Sequence, residues 1–182
     1  SIDFKTHSNC YSNMFDAIDD MVTQLTFGLN SQINPKHIVD DFGNQRPGYS
    51  MHFKKHWETT KMNGLIIHHI LRTPNLGQKY ISRVHQGKIE WNKKVIEQYI
   101  KLYDIFINHL CFMIHFVSGM PARSSELTSY RRKNGLSSTR SVHIAFENVL
   151  LLSEYTKTNH FTGVARNIVR FLDAKSTSVF LI

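Results

Sequence analysis

One run of this sequence offers a cation where an anion can be held: Ser118-Gly119-Met120-Pro121-Ala122-Arg123-Ser124-Ser125-Glu126-Leu127-Thr128-Ser129-Tyr130. An apolar helix meets a Gly/Pro corner, and the next helix opens with an arginine. In that first turn Arg123 would set a planar guanidinium, able to grip two oxygens of one anion, beside backbone amides without helical partners. Leu127 would face the core. The same arginine can instead pair on the surface with Glu126 or Glu97, and spacing alone leaves the two readings level. Arg131, Arg132, Lys133, Arg140, Arg166 and Arg170 follow as candidate contacts to a phosphate backbone.

Other chemistries are poorly supplied. Eleven histidines are present, with His52 and His56 four apart and His68 beside His69. A zinc site needs three or four converging ligands, and no Cys or carboxylate completes such a set at tight spacing. No metal and no cofactor is therefore expected. Phosphate-cradling Gly-rich loops, dinucleotide fingerprints and a Gly-x-Ser-x-Gly elbow are all missing from the sequence. Cys10 and Cys111 make no disulfide framework, and Cys111, inside an apolar run, reads as a small buried hydrophobe. Residues 105–117 are the most apolar stretch, but Asn108, His109 and His115 interrupt them, so a membrane span is not expected. No cleavable leader is evident, and an intracellular setting is the default expectation.

Charge narrows the partner. The 22 Lys and Arg against 14 Asp and Glu leave +8, distributed unevenly. Residues 1–50 hold three basic and six acidic side chains, a balance of −3, so residues 51–182 carry +11. A field of that sign draws polyanions, and charge alone does not separate DNA from RNA, from an anionic membrane or from an ordinary basic surface.

The elements that must position these residues are mostly helical. Residues 14–29 place Phe15, Ile18, Met21, Val22 and Leu25 on one stripe. Pro35 enters a short helix, and residues 41–50 form a Gly/Pro-rich loop. Residues 49–72 form a second helical region ending at Thr73-Pro74-Asn75, and residues 77–88 a basic polar stretch. A long helix over residues 90–118 keeps 3.6-residue spacing, and its second half is apolar all round, so Phe106, Leu110 and Ile114 are expected in the centre of the core. A short helix over residues 122–132 follows. Two alternating runs, residues 142–146 and 149–155, flank a turn at Glu147-Asn148, and residues 165–172 form a third strand. The apolar residues 178–182 read as the inside of a helix. The fold class is mainly α (α+β): a helical bundle followed by a small antiparallel sheet.

The segment around Arg123 resembles the first arginine box of tyrosine recombinases, a Thr-Gly-x-Arg-x-x-Glu-Leu pattern closing one helix and opening the next. Gly119, Arg123, Glu126 and Leu127 fall on it, with extra residues between Gly and Arg. The form Pro-Ala-Arg-x-x-Glu-Leu is closer to Crypton-type recombinases and to the recombinase-like segment before the helicase in fungal telomere-linked, RecQ-type helicases. Asp40-Asp41-Phe42 and Gly48-Tyr49-Ser50 are similar to the upstream part of those proteins. The resemblance implies residues 1–89 as a helical, core-binding-like region and residues 90–182 as the opening of a catalytic domain. It puts Lys157, at the end of a strand, where the family's hairpin lysine stands, although an ordinary loop lysine would look the same. Arginine would then bind the phosphate oxygens on which charge builds, and lysine would protonate the leaving oxygen. The family's second basic box and nucleophilic tyrosine come later than residue 182, so DNA binding without cleavage is expected. The same resemblance implies a nuclear protein of DNA recombination, transposition or helicase attachment, oligomeric on DNA, or alternatively an inactive DNA-binding or interaction scaffold.

Overall fold

Why each segment folds as it does follows from its apolar spacing and its stop signals. The structure, a computed structural model, describes residues 4–29, 33–50, 64–119, 121, 123–153 and 167–181. Among them are six α-helices, one 3-10 turn and five strands in two antiparallel sheets, a mixed helix-and-sheet fold with two small sheets where one was expected. The chain divides into two compact units, each built from two stretches: residues 1–31 with 61–110, and residues 32–60 with 111–182.

In the first unit, α1 (Phe4–Thr26) buries Phe15 and Ile18 completely and Met21 and Leu25 nearly so. Each such side chain contributes about 1.5–3 kcal/mol of burial. The helix begins ten residues before the expected start. It ends where Phe27 and Gly28 turn left-handed and the Gly28 amide donates to Thr23 O at 2.9 Å, so the last turn is closed by a backbone bond. The Tyr99 hydroxyl donates to Leu25 O at 2.9 Å, satisfying a carbonyl that the helix end leaves open.

Then α2 (Leu65–Arg72) and α3 (Pro74–Tyr80) follow, joined by Thr73 alone. Pro74 at the start of α3 loses no hydrogen bond there, which is why the residues expected to end one helix also begin another. The stretch read only as basic and polar leads into an ordered hairpin, β1 (Ile81–His85) and β2 (Lys88–Trp91). A bulge between Ile81 and Arg83 breaks the period-two pattern that would have shown the strand. Gln86 and Gly87, both at positive φ, make the two-residue turn.

The helix α4 (Lys93–Val117) contributes residues to both units. It corrects three expectations. Only Met113 and Ile114 on it are buried; Phe106 and Leu110 are half-buried. Cys111 is exposed, not a core residue. Ile105, Phe112 and Phe116 are about half exposed, at 49%, 49% and 52%. An all-round apolar sequence had suggested all-round burial, but one helical stripe carries the packing. At 25 residues and a mean hydropathy of 1.3 over its most apolar window, α4 is long and apolar enough to cross a membrane by length and composition.

In the second unit, Asn34 caps the 3-10 turn Pro35–His37, its side chain accepting from the Lys36 amide at 3.0 Å. After α5 (Ser124–Ser129), strands β3 (Val142–Ala145), β4 (Asn148–Ser153) and β5 (Ile168–Phe171) form one antiparallel sheet in that order. Phe146 and Glu147, both at positive φ, make the β3–β4 turn, one residue earlier than expected. The helix α6 (Ala174–Phe180), capped by Asp173, packs on β4. Buried Thr177 completes that joint: its hydroxyl accepts from the Val149 amide at 3.0 Å. Val149, Leu151, Leu172, Val179 and Leu181 make the core beneath.

Candidate nucleic-acid interface

The expected cations fall into three groups, all in the second unit: buried, exposed, and outside the described residues. Two are buried. Arg140 is held by a fork of bonds to Asp40, Nη1 to Oδ2 at 2.8 Å and Nη2 to Oδ1 at 2.7 Å. It also donates to Val142 O and Asp41 O, and stands 5.1 Å over the Tyr49 ring. The two side chains are 1% and 0% exposed. Asp40 Oδ2 further accepts the Ile144 amide at 3.0 Å, which fixes β3 to the loop after the 3-10 turn. Burial alone would raise the Asp40 pKa, but His143, Arg140 and the Ile144 amide outweigh it and hold the carboxyl well below its usual range. His143 stacks flat on Phe42 at 4.8 Å, and its Nε2 lies 3.2 Å from Arg140 O.

Arg170 on β5 repeats the arrangement. Its Nη2 donates to Glu126 Oε2 at 2.7 Å and its Nη1 to the Tyr130 hydroxyl at 3.2 Å. Both charged side chains are at least 95% buried. Burial, with the Glu126 charge adding, pushes the Tyr130 pKa up, and Arg170 offsets part of that. Arg140 and Arg170 are therefore corrected as DNA contacts. Each guanidinium neutralises an interior carboxylate, and leaving it would strand a buried charge at a cost of several kcal/mol.

Exposed cations remain. Arg123 is the N-cap residue of α5, extended at φ −68°, and its side chain is exposed. Its backbone amide donates to Glu126 Oε2 at 3.3 Å, so Glu126 lies behind the arginine and not in front of it. The surface pairing of Arg123 with a glutamate does not occur: among the described residues Arg123 makes no ion pair, and Glu126 is taken by Arg170. At six residues, α5 is too short for a helix dipole to matter, so any anion affinity here belongs to the guanidinium itself. Arg131, Arg132 and Lys133 are exposed eight to ten residues on, with Arg131 Nη1 bonded to the Ser138 hydroxyl.

What holds this basic loop is Asn134, which is 4% exposed. Its side chain donates to Asn44 O at 2.7 Å and Arg46 O at 3.1 Å and accepts the Arg140 amide at 2.8 Å. Its backbone pairs with Gly48 N and Tyr49 O. The Asp40–Tyr49 stretch and the loop after α5 are thereby locked together. Asp40, Asn134 and the Glu126–Arg170 pair were not singled out as a frame from the sequence, because partners 44 to 100 residues apart leave no local pattern.

Lys157 and Arg166 lie outside the described residues, as do His52 and His56. Among the described residues no three His, Cys, Asp or Glu side chains are grouped to hold a metal ion. Compared with known proteins, the chain matches no protein-family model and no solved structure.

Proposed function

We propose that this chain is a nuclear DNA-binding domain of the tyrosine-recombinase type, gripping the duplex through its phosphate backbone. The observation that supports this best is the division of labour around the Arg123 box. Glu126 is interior and held by Arg170, while Arg123 and the nearby Arg131, Arg132 and Lys133 are exposed. In the second unit the exposed described cations are Lys36, Arg46, Arg123, Arg131, Arg132, Lys133 and Lys175, against Asp41, Glu147 and Asp173. Seven positive charges over three negative ones suit a polyanion. On this reading Arg123 would hold two non-bridging phosphate oxygens, and the residue types fit stabilisation of charge on a phosphodiester.

The test is binding of the full chain to unrelated duplexes across a salt series. Affinity should fall steeply with salt, since each neutralised phosphate releases about 0.9 of a counterion. Arg123→Ala should weaken all sequences about equally, because a phosphate contact reads no base. Absence of binding at low salt, or affinity indifferent to salt, would overturn the proposal. A second reading, an interaction scaffold without catalysis, draws on the half-exposed Ile105, Phe112 and Phe116 of α4.

A further inference from the structure

The hairpin β1–β2 of the first unit is a ribbon with two unlike faces. Its register sets Arg83 opposite Glu90 and His85 opposite Lys88, and on the other side Val84 opposite Ile89 and Ile81 opposite Trp91. Directly opposed residues share a face, so one side is charged and the other apolar. Ile81, Ile89 and Trp91 are half-buried, and Trp91 lines an apolar cavity of about 340 Å³ with Ile66, Ile70 and Tyr80. At its Ile81–Trp91 end the apolar face is therefore turned to the body of its own unit, while Val84 near the tip is exposed. The charged face is open: Arg83, His85, Lys88 and Glu90 are all exposed, and among the described residues none of the four is in an ion pair.

The surroundings carry the same sign. Residues 72–101 contain seven Lys and Arg and only two acidic residues. The helix feeding the ribbon, α3, exposes Asn75, Gln78 and Lys79, a polar face that ends two residues before the strand begins. Among the described residues the sheet has two strands and no third, so it is about 5 Å across its backbones, and a B-DNA major groove about 12 Å wide admits such a ribbon. An anionic membrane would instead need apolar side chains at the tip; the turn is Gln86-Gly87, and Val84 is the one strongly exposed apolar side chain on the ribbon.

We infer that the charged face of the ribbon Ile81–Trp91, with the exposed side of α3, is a second duplex-DNA contact, carried by the first unit and separate from the Arg123 surface. It rests on the reading that the chain binds DNA, and adds a site to it. Lys88 and Arg83 would contact phosphates, and Gln78 and Asn75 would lie where base edges are read.

The experiment compares the full chain with its Arg83→Glu/Lys88→Glu variant on a mixed-sequence duplex across a salt series, alongside a photo-crosslinking amino acid at His85. The variant should lose at least tenfold in affinity at low salt, and its plot of log affinity against log salt should flatten by roughly 1.8, two phosphates at about 0.9 each. The probe at His85 should give a protein–DNA adduct. If the variant unfolds, the adduct alone decides. Parental affinity and slope in a folded variant, or no adduct, overturns this contact while leaving the Arg123 proposal standing. Stronger retention on vesicles of anionic phospholipid than on duplex also overturns it. A parent chain that binds no duplex is the separate failure of the functional reading.

Discussion

At the scale of single residues, the carboxylates of the second unit explain more than its arginines do. The Asp40 side chain is fully buried and takes bonds from Arg140 and the Ile144 amide. Replacing it with Asn keeps the shape but leaves Arg140 buried without a counter-charge, and should cost about 3–5 kcal/mol in denaturant unfolding at pH 7. The sign with pH follows from the lowered folded pKa of Asp40. Its contribution is complete above the unfolded value of about 3.9 and is lost as pH falls below that toward the folded value. Unfolding measured at pH 7 and pH 3 should therefore show a smaller acid loss in Asp40→Asn than in the parent. An equal loss would mean that the carboxyl is not what the acid removes. Glu126→Gln should also destabilise at pH 7, because it removes the carboxylate to which buried Arg170 donates. Arg123 was legible in the sequence because a Gly/Pro corner marks it. The fate of Arg140 and Arg170 was not, since a basic side chain looks the same whether it meets solvent or a carboxylate a hundred residues away.

Among the elements, α4 separates what periodicity shows from what it cannot. Its existence and length are plain from its spacing, but the side that packs is not, because both faces of its second half are apolar. Met113 is fully buried and Phe112, its neighbour, is 49% exposed, with its ring tilted against that of Phe116 at 4.4 Å between centroids. Met113→Ala should cost about 2–5 kcal/mol and Phe112→Ala under about 1 kcal/mol, read by thermal or urea unfolding. Comparable losses would show that the Phe112 face is covered in solution. The hairpins show the complementary case. The β3–β4 hairpin was readable from alternation on both sides of a polar turn, whereas the bulge hid β1. The β3–β4 turn also holds Phe146 and Glu147 at φ 51° and 64°, a conformation that costs side-chain-bearing residues roughly 1–2 kcal/mol each. Asn-Gly in their place should raise stability by about 1 kcal/mol.

Taken as a whole molecule, the chain contains two kinds of arginine that a net charge of +8 counts alike. Arg140 and Arg170 neutralise interior carboxylates and fix the loop after α5 and the β5 strand in place. Arg131 and Arg132 are exposed on the loop so fixed, with Asn134 tying its end to Asn44 and Arg46. The two kinds should separate cleanly by experiment. Arg131→Ala/Arg132→Ala removes exposed charge and little packing, so its melting temperature should stay near the parent's. Its DNA affinity should fall, and the salt slope should flatten by about 1.8 if both side chains meet phosphates. Arg170→Met removes the partner of Glu126, leaves a buried carboxylate uncompensated, and should lower stability by about 3–5 kcal/mol. Where enough of that variant remains folded, its salt slope should match the parent's, because a guanidinium 2.7 Å from Glu126 releases no counterion from DNA. The reverse pattern, a flattened slope in Arg170→Met and none in the exposed pair, would mean that the buried arginine leaves its carboxylate to meet the phosphate. The interface would then open on binding, and the exposed loop would be ordinary solvated surface.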